Sequence, residues 1–243
     1  MNKQSERRMR RDEEESAAMK LAAWSARTAA GKLVQSGQVT ELEQLYLRGL
    51  PVLEPEIIDK LFPEMESKAL NFNRTARLRD SGRQLSSQVI VAVGNKNGFV
   101  GFGQGKASAV KIAFEKASRE AKLNMTRVVR GCGSWECNCA TTHSVPFKSS
   151  GKSGSVRVTL LPAPRGVGLV AGDTAKEILR LAGIKDVWLQ TSGDTRSVGN
   201  FAKAVINALE SANRKKGTLK TQSERQAFIE TTPAGEAVAV ESS

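Results

Sequence analysis

The chain changes its grain between Gln88 and Lys106. Val89, Ile90, Val91, Ala92 and Val93 form a β-branched apolar run, and Gly94-Asn95-Lys96-Asn97-Gly98 is a turn of residues that tolerate positive φ. Phe99, Val100 and Phe102 restart the apolar run, with Gly101, Gly103 and Gly105 opening its end. The pattern predicts a hairpin. Beyond Lys106 the period lengthens to steps of three and four. Val110, Ala113, Phe114, Ala117 and Ala121 then share one helical face, while Lys111, Arg119 and Lys122, with Glu115 among them, share another. A hairpin thus feeds a helix that packs on the sheet and turns a basic stripe outward.

The flanking segments follow the same logic. Residues 3 to 15 are nearly all polar or charged and read as a solvated arm. A helical pattern is expected from Ser16 to Leu33, ended by Gly31 or Gly37. Thr40 opens a capping box in which Glu43 reaches back, ahead of Leu42, Leu45, Tyr46 and Leu47; Gly49-Leu50-Pro51 stops that helix. Glu54-Pro55-Glu56 starts another, carrying Ile57, Ile58, Leu61 and Phe62 as far as Pro63. These short helices suit an appendage better than an independent core. In the C-terminal part, a strand over Ser155 to Leu161 leads into a stiff turn from Pro162 to Gly168. A helix capped by Asp173 or Thr174 runs through Leu181 to Gly183, then come a strand over Asp186 to Thr191 and a helix over Asn200 to Arg214. After Gly217 the chain thins into Thr, Ser, Glu and Ala, where disorder is expected.

Charge changes the picture most. A net charge of +12 over 243 residues favours a polyanionic partner, because each cation meeting a phosphate releases condensed counterions. No apolar run is long enough to span a bilayer and no lipidation signal is present, so no membrane partner is expected. Arg74, Arg77, Arg79 and Arg83 crowd the stretch before the hairpin, around a turn at Asp80-Ser81-Gly82. Planar guanidinium forks at a turn suit phosphate binding. With Lys96 and Asn97 at the second turn, Lys106 at the helix entrance and the stripe of Lys111, Arg119 and Lys122, they make up a candidate RNA-binding surface. A strand–turn–strand–helix with cations at the turn and the helix entrance is the layout of double-stranded-RNA-binding domains.

The three cysteines, Cys132, Cys137 and Cys139, and the single histidine, His143, fall within one loop. An odd cysteine count with no secretory signal argues for a reducing, cytoplasmic setting. Three thiols and an imidazole match a tetrahedral structural zinc site, although the spacing is not that of a paired finger. No cofactor is otherwise required. Two glycine clusters mimic nucleotide loops. Gly151-Lys152-Ser153 lacks the earlier glycine of a phosphate loop, since position 146 is Pro, and Lys106 stands where the fingerprint around Gly101 needs its last glycine. Gly166, Gly168 and Ala171, with Asp186 following, imitate a Rossmann fingerprint, but Pro162 and Pro164 intervene. The better reading is a tight loop whose Arg165 and glycines closely approach a partner. No catalytic residue is expected.

Several longer motifs occur in a familiar order: Gly82-Arg83, Val89 to Gly94, Asn97-Gly98, Gly101-Phe102-Gly103 to Gly105-Lys106-Ala107, Pro162 to Gly172, Ala182-Gly183-Ile184 and Asn200 to Ala204. They resemble the small-subunit ribosomal protein five family. The N-terminal block with Gly49-Leu50-Pro51 and the Gly131 to Cys137 loop resemble its archaeal-type branch. The resemblance implies an α+β fold in which a helical N-terminal extension (1–72) precedes a double-stranded-RNA-binding-like domain with a Cys-rich loop (73–146). A small two-layer α/β domain with a left-handed βαβ crossover (147–216) and a tail (217–243) would follow. It also implies a structural constituent of the small ribosomal subunit in the cytoplasm, not an enzyme. Such a protein would bind ribosomal RNA near the decoding region and messenger entry, beside the fourth and third proteins of that subunit, and support translational accuracy. A free-standing RNA-binding regulatory protein is the alternative reading.

Overall fold

The computed structural model describes residues 24–213 except 138 and 140. The charged arm at 3–15, the first part of the expected helix at 16–23, Arg214 and the tail after Gly217 lie outside the described residues. The element order is α1 (Ala29–Gln35), α2 (Leu42–Leu47), α3 (Pro55–Leu61), β1 (Glu66–Arg79), β2 (Gly82–Gly94), β3 (Phe99–Ala107), α4 (Val110–Leu123), β4 (Met125–Arg127), β5 (Ser149–Ser153), β6 (Val156–Pro162), β7 (Leu169–Val170), α5 (Asp173–Leu181) and β8 (Val187–Ser192). A last helix, α6, covers residues 198–213.

The strands form two sheets, an antiparallel β1-β2-β3-β4 and a mixed β5-β6-β8-β7 in which only β7 and β8 run parallel. This is the expected α+β architecture, with β7–α5–β8 as the parallel βαβ unit. The first sheet is covered on both sides. Towards α4, Val89, Val91 and Val93 pack on Ala113, Ala117 and Ala121. The glycines of β3 make that contact close, because a Cβ on Gly101, Gly103 or Gly105 would lie 2.0, 2.1 and 2.1 Å from the carbonyl oxygens of Ala121, Ala117 and Ala113. Small residues on both elements let strand and helix backbones touch, so these glycines serve packing rather than nucleotide binding. On the opposite side, Ile90, Ala92, Val100 and Phe102 share one core with Val158, Ile178, Leu179 and Leu209 of the C-terminal unit.

The turn between β2 and β3 locks the two units together. Lys96 and Gly98 donate their N–H groups to the carbonyls of Leu181 (2.8 Å) and Ala182 (3.2 Å) at the end of α5. Lys96 holds φ 55° and Gly183 φ 80°, and a Cβ on Gly183 would lie 2.0 Å from the Lys96 carbonyl oxygen. The three N-terminal helices gather Val34, Leu42, Leu45, Ile57 and Ile58 into a cluster completed by Phe99 and Met125 of the first sheet. They are docked on the sheet as an appendage.

Several local expectations need correction. Residues 24–27 are not helical; α1 starts after Thr28, whose hydroxyl accepts the Gly31 N–H, and Gly31 lies inside the helix while Gly37 follows it with φ 78°. Thr40 does not cap α2. Glu41 occupies that position without a side-chain cap, and Glu43 pairs with Arg127 at 3.1 Å instead of reaching back. Neither Asp173 nor Thr174 caps α5, whose N-cap is Gly172. Residues Ser149–Ser153 are a strand, with Gly151 pressed against α6. Val110, assigned to the apolar face of α4, is 50% exposed because that helix begins beyond the edge of the packed sheet.

Candidate nucleic-acid interface and metal centre

β1 and β2 continue well past the layers that cover them. Pairing with β3 ends at Ser87, but pairing with β1 runs on to Arg79 opposite Gly82, so the end of the ribbon is a two-stranded finger. Directly opposed residues of an antiparallel pair point to one face, and the register therefore sorts the cations. Arg74 and Arg83 lie on the α4 side with Phe72, Leu78 and Leu85; Arg77 and Arg79 lie on the other side with Thr75, Gln84 and Ser86. Leu78 is 81% exposed. Among the described residues, the side chains of Arg74, Arg77, Arg79 and Arg83 have no hydrogen-bond or ion-pair partner. The finger thus displays unpaired guanidinium groups on two faces.

The remaining candidates divide. Lys106, Lys111 and Arg119 are exposed and point away from the core. Lys122 turns inward to pair with Asp59 of α3 at 2.5 Å, so it fastens the N-terminal helices instead of joining the stripe. Lys96 pairs with Glu66, and the Asn97 side-chain oxygen accepts a 2.6 Å hydrogen bond from Arg130. Arg165 is exposed, far along the chain from these, and it borders a cleft of about 1220 Å³ with Lys96, Arg130, Lys176, Arg180 and Lys185. Sequence reasoning missed those last four. They come from three separate segments, and only the docking of the turn onto α5 brings them together.

The structure draws the cysteine loop into a compact centre. Paired hydrogen bonds between Gly131 and Ser144, both 2.8 Å, close the loop. The sulfurs of Cys132, Cys137 and Cys139 and a ring nitrogen of His143 all lie within 4.8 Å of one another. His143 Nε2 is 3.0 Å from the Cys139 sulfur and 3.7 Å from that of Cys137. Ligands of a tetrahedral zinc ion sit roughly 3.5–3.8 Å apart, given its usual bond lengths. The donor set fits that ion in kind and number, with Cys139 closer to the Cys137 sulfur (2.9 Å) and to His143 (3.0 Å) than ligands around a bound ion would lie. The hydrogen bond to Cys137 pulls the Cys139 thiol down to about 6, helped by Thr141, while Cys132 is pushed up to about 11, first by burial and then by its bonds to Cys139 and Cys137. Cys139 therefore supplies a thiolate at neutral pH.

Asp186 orients the centre. Its Oδ2 accepts a 2.7 Å hydrogen bond from His143 Nδ1, which leaves Nε2 facing the sulfurs, the arrangement that steadies metal-ligating histidines. Its Oδ1 accepts the N–H groups of Gly166 (3.1 Å) and Gly168 (2.8 Å). Those are the backbone donors that a dinucleotide would require, and a carboxylate from the same chain already occupies them. One side chain thus ties the cysteine loop to the Arg165 loop. Trp135, at the tip of the cysteine loop, is 92% exposed.

Comparison with known proteins gives a consistent result. The model of "Ribosomal protein S5, N-terminal domain" matches residues 65–129 and that of "Ribosomal protein S5, C-terminal domain" matches residues 151–222. The chain is 56% identical over 189 residues to the small ribosomal subunit protein uS5 of Pyrobaculum islandicum, covering 78% of this chain and 94% of that protein. It is 49% identical over 207 residues to the protein of the same name from Methanocaldococcus jannaschii, covering 85% and 95% of the two chains.

Proposed function

The chain belongs to the ribosomal protein S5 family, in its archaeal-type form, and from that premise we propose that its exposed arginine finger holds ribosomal RNA within the small subunit. It is a structural constituent of the small ribosomal subunit in the cytoplasm, and it is not an enzyme. The observation that carries the RNA reading is the finger itself. A ribbon that outruns its core and bears Arg74, Arg77, Arg79 and Arg83 without partners among the described residues has no packing reason for that composition. Guanidinium groups so displayed suit phosphate contacts.

We further propose the finer placement that the resemblance implies: near the decoding region and messenger entry, beside the fourth and third proteins of the subunit, with a part in translational accuracy. The basic cleft around Arg165 supports a contact with a polyanion or an acidic neighbour. A free-standing regulator would share the finger, but the C-terminal unit, whose core is continuous with the first sheet, would have no role in it. Sedimentation of a low-salt lysate tests the assignment. The protein is expected to travel with small subunits, and its recovery only in the free fractions would overturn the reading.

Cys132, Cys137, Cys139 and His143 are proposed to hold one structural zinc ion, with Asp186 fixing the imidazole. The ion would cross-link the loop and, through Asp186, steady the turn that carries Arg165. Metal analysis of the folded protein should return close to one zinc per chain, and Cys139→Ser should abolish it. Full folding with no bound metal would sink the proposal.

A further inference from the structure

On the side of the first sheet that faces the C-terminal unit, five amide side chains converge where the sheet emerges beside α6. Asn71, Asn73, Gln88 and Gln104 come from three adjacent strands and Asn200 from the helix, around a pocket of about 330 Å³. Among the described residues, the side chains of Asn73, Gln88, Gln104 and Asn200 have no hydrogen-bond partner, and Asn71 only accepts the N–H of its neighbour Phe72. Ile90 and Phe102, nearly buried, supply an apolar surface, and Arg196 and Lys203 stand at the pocket as well. No carboxylate lines it.

This combination is selective. A metal site of the usual kind needs anionic ligands, which this lining lacks, and the amide oxygens offer acceptors that a simple anion cannot use. A nucleobase presents donors and acceptors on its edge and an apolar face, with a phosphate attached, and primary amides pair with such edges. We propose that the pocket takes one unpaired nucleotide of RNA, its base edge read by the amides and its phosphate met by Arg196 and Lys203. Outward from the pocket the same face of the sheet carries Lys106, then Thr75 and Ser86, then Arg77 and Gln84, and finally Arg79, so the strand leaving the pocket would follow these side chains to the tip of the finger. The inference rests on the RNA-binding reading and goes beyond it by naming an unpaired nucleotide and the side chains that hold it.

The test is base-specific chemical probing, with dimethyl sulfate and a carbodiimide, of small-subunit RNA bound to the full chain. Wild-type protein should protect at least one unpaired base that becomes reactive with the variant Gln88→Ala/Gln104→Ala, at unchanged salt slope and with Kd weakened about ten-fold. Gln104→Glu, which keeps the size but adds a charge, should lose the same protection. Both positions are partly or fully exposed, so melting temperatures should match wild type. A variant footprint identical to that of wild type overturns the pocket while leaving the finger standing. Absence of any base protection by wild-type protein that still binds the RNA overturns the pocket, whereas absence of RNA binding by the full chain overturns the RNA-binding reading, and the pocket with it.

Discussion

Val89–Val93 and Arg83–Ser87 are the two halves of one strand, and β1 pairs with both. The inner half has α4 on one side and the C-terminal unit on the other, so each side chain there is decided by volume: valines meet alanines, and glycines let backbones touch. Ser87 is still buried and is the last residue paired with β3; beyond it the outer half has no layer on either side. A two-stranded ribbon is marginal by itself in water, so this one is held straight by the sheet behind it. Residue choice in the finger is thus free of packing and open to cations. The difference teaches where function resides in this molecule: at the place where hydrogen-bonded backbone continues beyond its core.

Substitutions can break or sharpen that comparison. The largest effect is expected from Gly103→Val in β3, because its first added carbon would lie 2.1 Å from the Ala117 carbonyl oxygen and nothing there can yield cheaply. A loss of at least about 3 kcal/mol in urea unfolding is expected. Unchanged stability would mean that strand and helix do not touch as described. Gly183→Ala should come next, at about 2 kcal/mol, since it adds a Cβ at φ 80° and 2.0 Å from the Lys96 carbonyl oxygen. Its melting temperature should fall, and a value equal to wild type would show that the junction carries little of the stability. Arg77→Ala with Arg79→Ala should alter stability by no more than about 0.5 kcal/mol. The salt slope of RNA binding should nevertheless flatten by about one per lost contact. The pair Arg74→Ala with Arg83→Ala, on the opposite face, sharpens the result. Equal flattening would place RNA on both faces of the finger, whereas an unchanged slope for both pairs would remove the finger from the phosphate ligands.

The hairpin was legible in the sequence because turn chemistry and a β-branched run are local signals. β1 was not. Glu66–Arg79 is charged, amide-rich and exposed over most of its length, so it carries no alternation to read, and it is a strand because β2 offers it a partner. The cap expected at Thr40 failed for a related reason, as Glu43 finds Arg127 of β4, a partner invisible from the helix alone. In the cysteine loop the ligands are visible by clustering, but Asp186, 43 residues beyond His143, reads in the sequence as the start of a strand and the acid of a nucleotide fingerprint, with nothing local to link it to the loop. Lys122 read as part of an outward stripe because helical period fixes a face without saying what lies against it.

The sequence by itself determined the strands and turns of the hairpin, the glycine–alanine periods of β3 and α4, the net charge of +12 and the gathering of every cysteine and the histidine into one loop. Each is a property of neighbours along the chain, where φ preference, side-chain period and charge act over a few residues. Tertiary structure alone decided which arginines share a face, which lysines are consumed by internal ion pairs, how Asp186 joins the metal centre to the Arg165 loop and where the unpaired amides meet. Those outcomes depend on register and docking between segments far apart in the chain. Their energies arise only when the segments touch, so no local pattern records them.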